Sequence, residues 1–210
     1  QAALRLGGAY DDRLEPVAAA APGHAEQGSL LQQSGMARIG GDALRLDAVH
    51  ELKDDSPQHY LTVLATEVRV LAAELGRPLD LVAESDLNDP LMVTPAADGG
   101  WGMTAQWDDD VHHALHVALT GEAQGYYRDF GGTPGGPEEG PLAVLAKVLT
   151  RGFLHDGTFS SFRDSAWGAP VDRERLDARR LLGYLQTHDQ VGNRATGERI
   201  SALVEDPALQ

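Results

Sequence analysis

Three carboxylates each follow an apolar run of the sequence, at the point where a strand is expected to end. They are Asp47, Glu84 and Asp189. In a parallel α/β barrel the carboxyl ends of the strands meet at one mouth, where active sites lie. Two carboxylates at about 5 Å from each other are sufficient for glycoside hydrolysis with retention of configuration. The pattern therefore favours cleavage of glycosidic bonds, although each acid taken alone is more typical of a helix cap or a loop contact.

Arg45 adds a cation to the first of these positions. It lies two residues before Asp47, so both side chains are expected on the same face of a strand. A nearby guanidinium keeps a carboxylate ionised, which a nucleophile requires. The alternative is an ion pair that only orders the sheet.

The elements that must position these residues alternate between short apolar runs and amphipathic stretches from Asp42 onward, which predicts an α/β fold with parallel strands. We predict strands over 43–50, 79–83, 103–107 and 181–187. Helices are predicted after Ser56 as far as Leu75, after 108–110, and over 141–151. The expected buried faces are Leu61, Leu64, Val68, Leu71 and Leu75 in the first helix, Val111, Leu115 and Leu119 in the second, and Leu142, Leu145, Ala146 and Leu149 in the third.

Composition limits the classes of partner. The chain has 210 residues, and 32 Asp and Glu against 17 Lys and Arg give a net charge of −15, which disfavours nucleic acid and anionic membranes as partners. There is no cysteine, which excludes disulfides and is compatible with the cytoplasm. Residues 1–40 are rich in Ala and Gly and indicate a weakly ordered leader, so residues 41–210 are expected to form the catalytic part.

Several blocks of the sequence carry a family resemblance. Residues 44–50, 82–90 and 186–194, which contain the three acids, resemble conserved blocks of the α-amylase superfamily of glycoside hydrolases. Residues 105–116 and 125–130 resemble the branch of that superfamily that forms trehalose. The match extends over about residues 42–204, and the blocks occur in the expected order.

The resemblance implies roles for five of these residues. Asp47 would be the nucleophile, Glu84 the general acid/base and Asp189 the stabiliser of the transition state, with Arg45 and His188 in support. The implied reaction is retaining cleavage of the α-1,4-glucosidic bond next to the terminal trehalose unit of a maltooligosyl trehalose, which releases trehalose. The alternative is a catalytically incompetent remnant that at most binds α-glucans.

The resemblance also implies a (β/α)8 barrel, but only about four βα units are recognisable here, whereas a complete barrel takes about 250 residues. We therefore expect a partial barrel, roughly its second half. Exposed edges of such a sheet would permit self-association.

Further polar and aromatic residues are candidates for contact with sugar hydroxyls or sugar rings. With Arg45 and His188, the substrate-binding candidates are His50, Asp86, Trp107 and Asp108. Each has a structural alternative: a satisfied hydrogen bond for the histidines, an Asx turn for Asp86, core packing for Trp107 and a helix start for Asp108.

Two other clusters are assigned no chemistry. His112, His113 and His116 have helical spacing, but no His-Glu-x-x-His pattern is present, so neither a metal nor another cofactor is expected. Phe153, Phe159 and Phe162 are predicted to fill a core.

Overall fold

A computed structural model describes residues 42–204 of the chain. The leader predicted over residues 1–40 lies outside the described residues, as do the ends of the predicted catalytic part. The described chain divides into two compact units. The first unit contains residues 42–85 and 90–106, and the second contains residues 86–89 and 107–204.

The first unit is built on parallel strands: β1 (Ala43–Leu46), β2 (Asp80–Ala83) and β3 (Ala105–Trp107), whose last residue belongs to the second unit. Leu46 of β1 pairs with Ala83 of β2, and Ala83 pairs with Gln106 of β3. The predicted parallel α/β arrangement is confirmed. Within residues 42–204, β1 has a strand neighbour on one side only.

The end of β1 differs from the prediction. β1 ends at Leu46 and not at His50, because Ala48 adopts a left-handed conformation (φ 46°) and Val49–Glu51 forms a 3-10 helix. In β2, buried and half-buried residues alternate, so the strand is not equally buried on both faces.

Helix α1 (Tyr60–Leu75) follows β1 in the first unit. Its four predicted buried residues up to Leu71 are buried, whereas Leu75 is 44% exposed because it lies at the end of the helix, next to Gly76. The cap is His59, whose ring accepts from the N–H of Leu61; Ser56 lies before the helix, and its hydroxyl donates to the Gln58 carbonyl. The predicted start of the helix, directly after Ser56, was therefore three residues too early.

The second unit contains helices α2 (Asp109–Thr120) and α3 (Pro141–Arg151), the antiparallel hairpin β4 (Thr158–Ser160) and β5 (Ser165–Trp167), strand β6 (Leu181–Leu182) and helix α4 (His188–Gly192). Its hydrophobic core consists of Val111, Ala114, Val117, Tyr127, Phe130, Val144, Val148 and Leu154. The bounds of α3 match the prediction, and the hairpin was not predicted.

The buried faces of α2 and α3 differ from the predicted ones. In α3, Val144 and Val148 are buried, while Leu142 and Leu149 are 72% and 59% exposed. In α2, His112 and His116 are buried with Val111. Phe153 is buried as predicted, but Phe159 and Phe162 are exposed on the hairpin.

The last predicted strand is much shorter than expected. It ends at Leu182, and Asp189 therefore lies in the first turn of α4 and not at the end of a long strand. The backbone N–H of Asp108, after β3, donates to the Leu182 carbonyl at 3.0 Å, which fixes the position of β6 within the second unit.

Candidate active site

Asp47 and Glu84 follow neighbouring strands at the same edge of the sheet. The Glu84 N–H donates to the Leu46 carbonyl at 2.8 Å, and the Val49 N–H donates to the Glu84 carbonyl at 3.1 Å. Leu46 and Ala83 are paired, and adjacent strands lie about 4.8 Å apart, so the residues that follow them, Asp47 and Glu84, are neighbours across the two strand ends. The backbones of Asp47 and Glu84 therefore lie next to each other, and the catalytic roles of the two side chains stay a prediction.

Arg45 contacts Asp47 as the spacing predicted. The Arg45 Nη1 donates to Asp47 Oδ1 at 2.8 Å, and the two side chains are 21% and 31% exposed. The guanidinium fixes the orientation of one carboxylate oxygen of Asp47. A half-exposed carboxylate with a fixed orientation is suited to attack on a bound carbon atom.

Glu84 is held by a contact that the sequence did not indicate. Its Oε2 accepts from the backbone N–H of Ala48 at 2.6 Å. Ala48 itself adopts a left-handed conformation. The hydrogen bond anchors the side chain of Glu84 to the residue that follows Asp47.

His50, the remaining candidate of the first unit, is half-buried in the 3-10 helix after β1. Its Nε2 lies 3.7 Å from Oε1 of the exposed Glu51. Contact of His50 with substrate stays a prediction.

His188 and Asp189 begin α4 in the second unit. Their side chains are 73% and 50% exposed, with His188 Nε2 3.2 Å from Asp189 Oδ1. Thr187 and Gln190 form a capping box around them, in which the Thr187 N–H donates to Gln190 Oε1 at 2.7 Å. Both candidates are therefore accessible and lie on an ordered turn.

Asp86 and Trp107 also belong to the second unit. Arg163 Nη2 donates to Asp86 Oδ2 at 2.6 Å, and the Trp167 indole N–H donates to the Asp86 carbonyl at 2.8 Å. The Arg163 guanidinium lies 4.3 Å from the centre of the Trp167 ring. Trp107 packs edge-on against Tyr184, with ring centres 4.9 Å apart.

Asp108 is 2% exposed and caps α2, where its side chain accepts from the Val111 N–H. Burial and the neighbouring charge of Asp110 raise the pKa of Asp108 well above its usual range. The structure thus gives this residue a capping role. Its contact with substrate stays a prediction that requires the carboxylate to become accessible.

Sequence reasoning missed a buried polar cluster around Asp110. Its Oδ2 accepts from the Leu154 N–H at 2.7 Å, from Asn88 Nδ2 at 2.9 Å and from the His155 N–H at 3.4 Å. Burial raises the pKa of Asp110 to about 6, although these donors oppose the shift. A narrow cleft beside the cluster is lined by Asp86, Asp109, His113, Tyr126, Phe130 and Arg163, among others. The only signal in the sequence was the run of three aspartates.

Residues 42–204 contain neither a cluster of metal-ligating side chains nor a helix that could span a membrane. No group of three or more His, Asp or Glu side chains in this range is arranged to hold a metal ion. No helix in the same range is long and apolar enough to cross a membrane.

Comparisons with known proteins agree with the resemblance. A malto-oligosyltrehalose trehalohydrolase from Arthrobacter ramosus is 54% identical over 168 residues, which cover 80% of this chain and 28% of that protein. The one from Mycobacterium tuberculosis H37Rv is 52% identical over 160 residues, and the one from Saccharolobus solfataricus is 43% identical over 164 residues. The resemblance of the chain to malto-oligosyltrehalose trehalohydrolases is confirmed.

A comparison of structures points to the same fold. A solved structure from Salmonella typhimurium, described as an alpha amylase, is 32% identical with a TM-score of 0.67, and the match covers 81% of this chain and 28% of that one. The chain therefore has the fold of part of an α-amylase barrel. It spans about a quarter of the length of the trehalohydrolases it matches. No protein-family model matches it.

Proposed function

We propose that the chain is the part of a glycoside hydrolase that carries its catalytic acids, and that the reaction is the retaining cleavage that releases trehalose from a maltooligosyl trehalose. The observation that supports it is the anchoring of Glu84 to the N–H of Ala48, directly after an Asp47 that Arg45 holds. The similarity to malto-oligosyltrehalose trehalohydrolases indicates the substrate class.

In the proposed first step, the Asp47 carboxylate attacks the anomeric carbon, and Glu84 gives its proton to the oxygen of the leaving trehalose unit. The carbon–oxygen bond breaks as the bond to Asp47 forms. In the second step, Glu84 takes a proton from water, which attacks the anomeric carbon and releases the sugar from Asp47. Asp189 stabilises the positive charge that the sugar ring acquires in both transition states.

Asp47→Asn and Glu84→Gln test these two roles separately. We expect Asp47→Asn to lower the rate of trehalose release by at least about a thousandfold, because an amide does not act as the nucleophile. Glu84→Gln should lower the rate of trehalose release by a similar factor. The variant should cleave an aryl glucoside with an acidic phenol leaving group much faster than it cleaves the natural substrate, because that leaving group needs no proton.

The matched controls are Asp55→Asn and Glu74→Gln, which make the same chemical changes at exposed positions of the first unit. Both should retain the activity of the unaltered chain. Unchanged turnover in Asp47→Asn refutes the proposal. Binding of maltooligosaccharides by calorimetry without any trehalose release by the unaltered chain establishes the alternative, a glucan-binding remnant.

A further inference from the structure

Asp189 lies on a segment with little support from strands. We define the Asp189 segment as residues 183–194, which follow the two-residue strand β6 and contain α4. Since backbone pairing does not extend along this segment, its position depends on side chains that reach it from other elements of the second unit.

His112, on α2, contacts the segment before Asp189. Its Nδ1 is hydrogen-bonded to the Leu185 carbonyl, and its Nε2 lies 2.8 Å from the Tyr127 hydroxyl. A carbonyl only accepts, so Nδ1 carries the proton and Nε2 accepts from Tyr127. The ring is fully buried, burial lowers the pKa of His112 to about 4, and both of its nitrogens are used.

The same ring supports a second contact. It stacks on Tyr184 with ring centres 5.3 Å apart and 2° between the planes. The Tyr184 hydroxyl donates to Asp109 Oδ1 at 2.7 Å and accepts from Gln190 Nε2 at 3.3 Å. Gln190 is the residue whose other amide atom completes the capping box at Thr187. The contacts therefore run from His112 to the turn that carries Asp189.

His116, one turn further along α2, acts at the other end of the segment. Its Nε2 lies 2.9 Å from Glu122 Oε2. Arg194 binds both oxygens of the same carboxylate, through Nη1 at 2.9 Å and Nη2 at 3.1 Å. Glu122 is thus held between a buried histidine and the arginine that follows α4.

We propose that His112 and His116 are positioning residues for Asp189, holding its segment on both sides through Leu185 and through Glu122 with Arg194. The inference rests on the role proposed above for Asp189. A leucine would fill either buried position without the cost of burying a polar ring, so the hydrogen bonds that the rings make are the feature that distinguishes histidine here. A shift of about 1 Å in a catalytic group can cost about a hundredfold in rate.

The test is a double-mutant cycle between His112→Leu and Asp189→Asn in the full chain. We expect His112→Leu to lower kcat/KM for maltooligosyl trehalose by about 10- to 100-fold, mostly through kcat, because the transition state alone carries the charge that Asp189 stabilises. In the Asp189→Asn background the same substitution should change kcat/KM by less than about threefold. His112→Asn presents an amide N–H near the position of Nδ1 and should recover most of the loss.

Two further variants keep the test independent of folding. Glu122→Gln, at a half-exposed position, weakens the hold on Arg194 and should show the same coupling with Asp189→Asn. His155→Leu, at a buried position of the second unit that contacts Asp129 and Phe130, is the matched control, and it should change kcat/KM by equal factors in both backgrounds. Thermal unfolding verifies that each variant is folded.

The same double-mutant cycle is then measured with the dissociation constant of 1-deoxynojirimycin, a cationic iminosugar. This binding measurement requires no turnover. Equal factors in both backgrounds for His112→Leu and Glu122→Gln overturn the inference and leave the proposed function intact. No effect of Asp189→Asn alone, on turnover or on iminosugar binding, overturns the role of Asp189 and the inference together.

Discussion

At the scale of single residues, the surroundings of each acid decide what it can do. Asp47 is half-exposed beside a guanidinium, whereas Asp110 is buried and accepts from three N–H groups. The Arg45–Asp47 contact was predictable because it needs only the alternation of a strand. The bond from the Ala48 N–H to Glu84 was not, because it depends on the register of two strands.

Asp110 makes stability depend on pH in an unusual direction. Its pKa in the folded chain is about 6, above the ordinary value of 3.8. As pH rises from about 4 to about 6, the unfolded chain loses this proton first, so the contribution of Asp110 to stability falls by up to about 3 kcal/mol. Below about pH 4, Asp110 is protonated in both the folded and the unfolded chain, so its burial as an ion no longer lowers stability.

Asp110→Asn removes this titration and keeps an oxygen that can accept from Leu154 and Asn88. The free energy of unfolding of the unaltered chain in urea, taken relative to that of the variant, should fall between pH 4 and pH 7. Asp89→Asn, at a half-buried position, is the comparison. A constant difference between the Asp110→Asn variant and the unaltered chain at all pH values would contradict the assignment.

At the scale of secondary structure, the limits of α3 were easier to predict than its buried face. Pro141 and Gly152 mark the ends of α3 correctly. Leu142, Leu145 and Leu149 fit the helical repeat as well as Val144 and Val148 do, so the sequence did not distinguish the two sides. Only packing against the rest of the second unit selects the valines.

Glycines in similar conformations after β5 and before α3 give a matched pair for a test. Gly168 has φ 75° and a Cβ there would lie 1.9 Å from the His155 carbonyl oxygen, whereas Gly135 has φ 72° and nothing within 4 Å. We expect Gly168→Ala to cost more than about 3 kcal/mol of stability and Gly135→Ala about 1–2 kcal/mol, since only the first adds a clash to the backbone strain. Equal losses in urea unfolding would show that the crowding at Gly168 is relieved.

At the scale of the whole molecule, net charge and an incompletely paired sheet act in opposite directions. The charge of −15 repels other copies of the chain, while β1 has a strand neighbour on one side only within residues 42–204. Self-association through sheet edges stays a prediction. The part of the fold that the sequence indicated best is the α/β class, because apolar runs and helical repeats are local properties.

Sedimentation at low and high salt tests the prediction of self-association through sheet edges. Raising NaCl from about 10 mM to about 500 mM shortens the screening length from about 30 Å to about 4 Å. We expect the sedimentation coefficient to increase with protein concentration at high salt and to stay near the monomer value at low salt. A coefficient independent of both salt and concentration would rule out association through the sheet edge.

The path of the chain between the two units limits how the protein can be divided. The chain passes from one unit to the other three times, after residues 85, 89 and 106. Any fragment that begins at residue 107 therefore lacks Asn88, whose amide donates to the buried Asp110. No single cut releases an intact unit, so shortened versions made for crystallisation or NMR should retain residues 86–89.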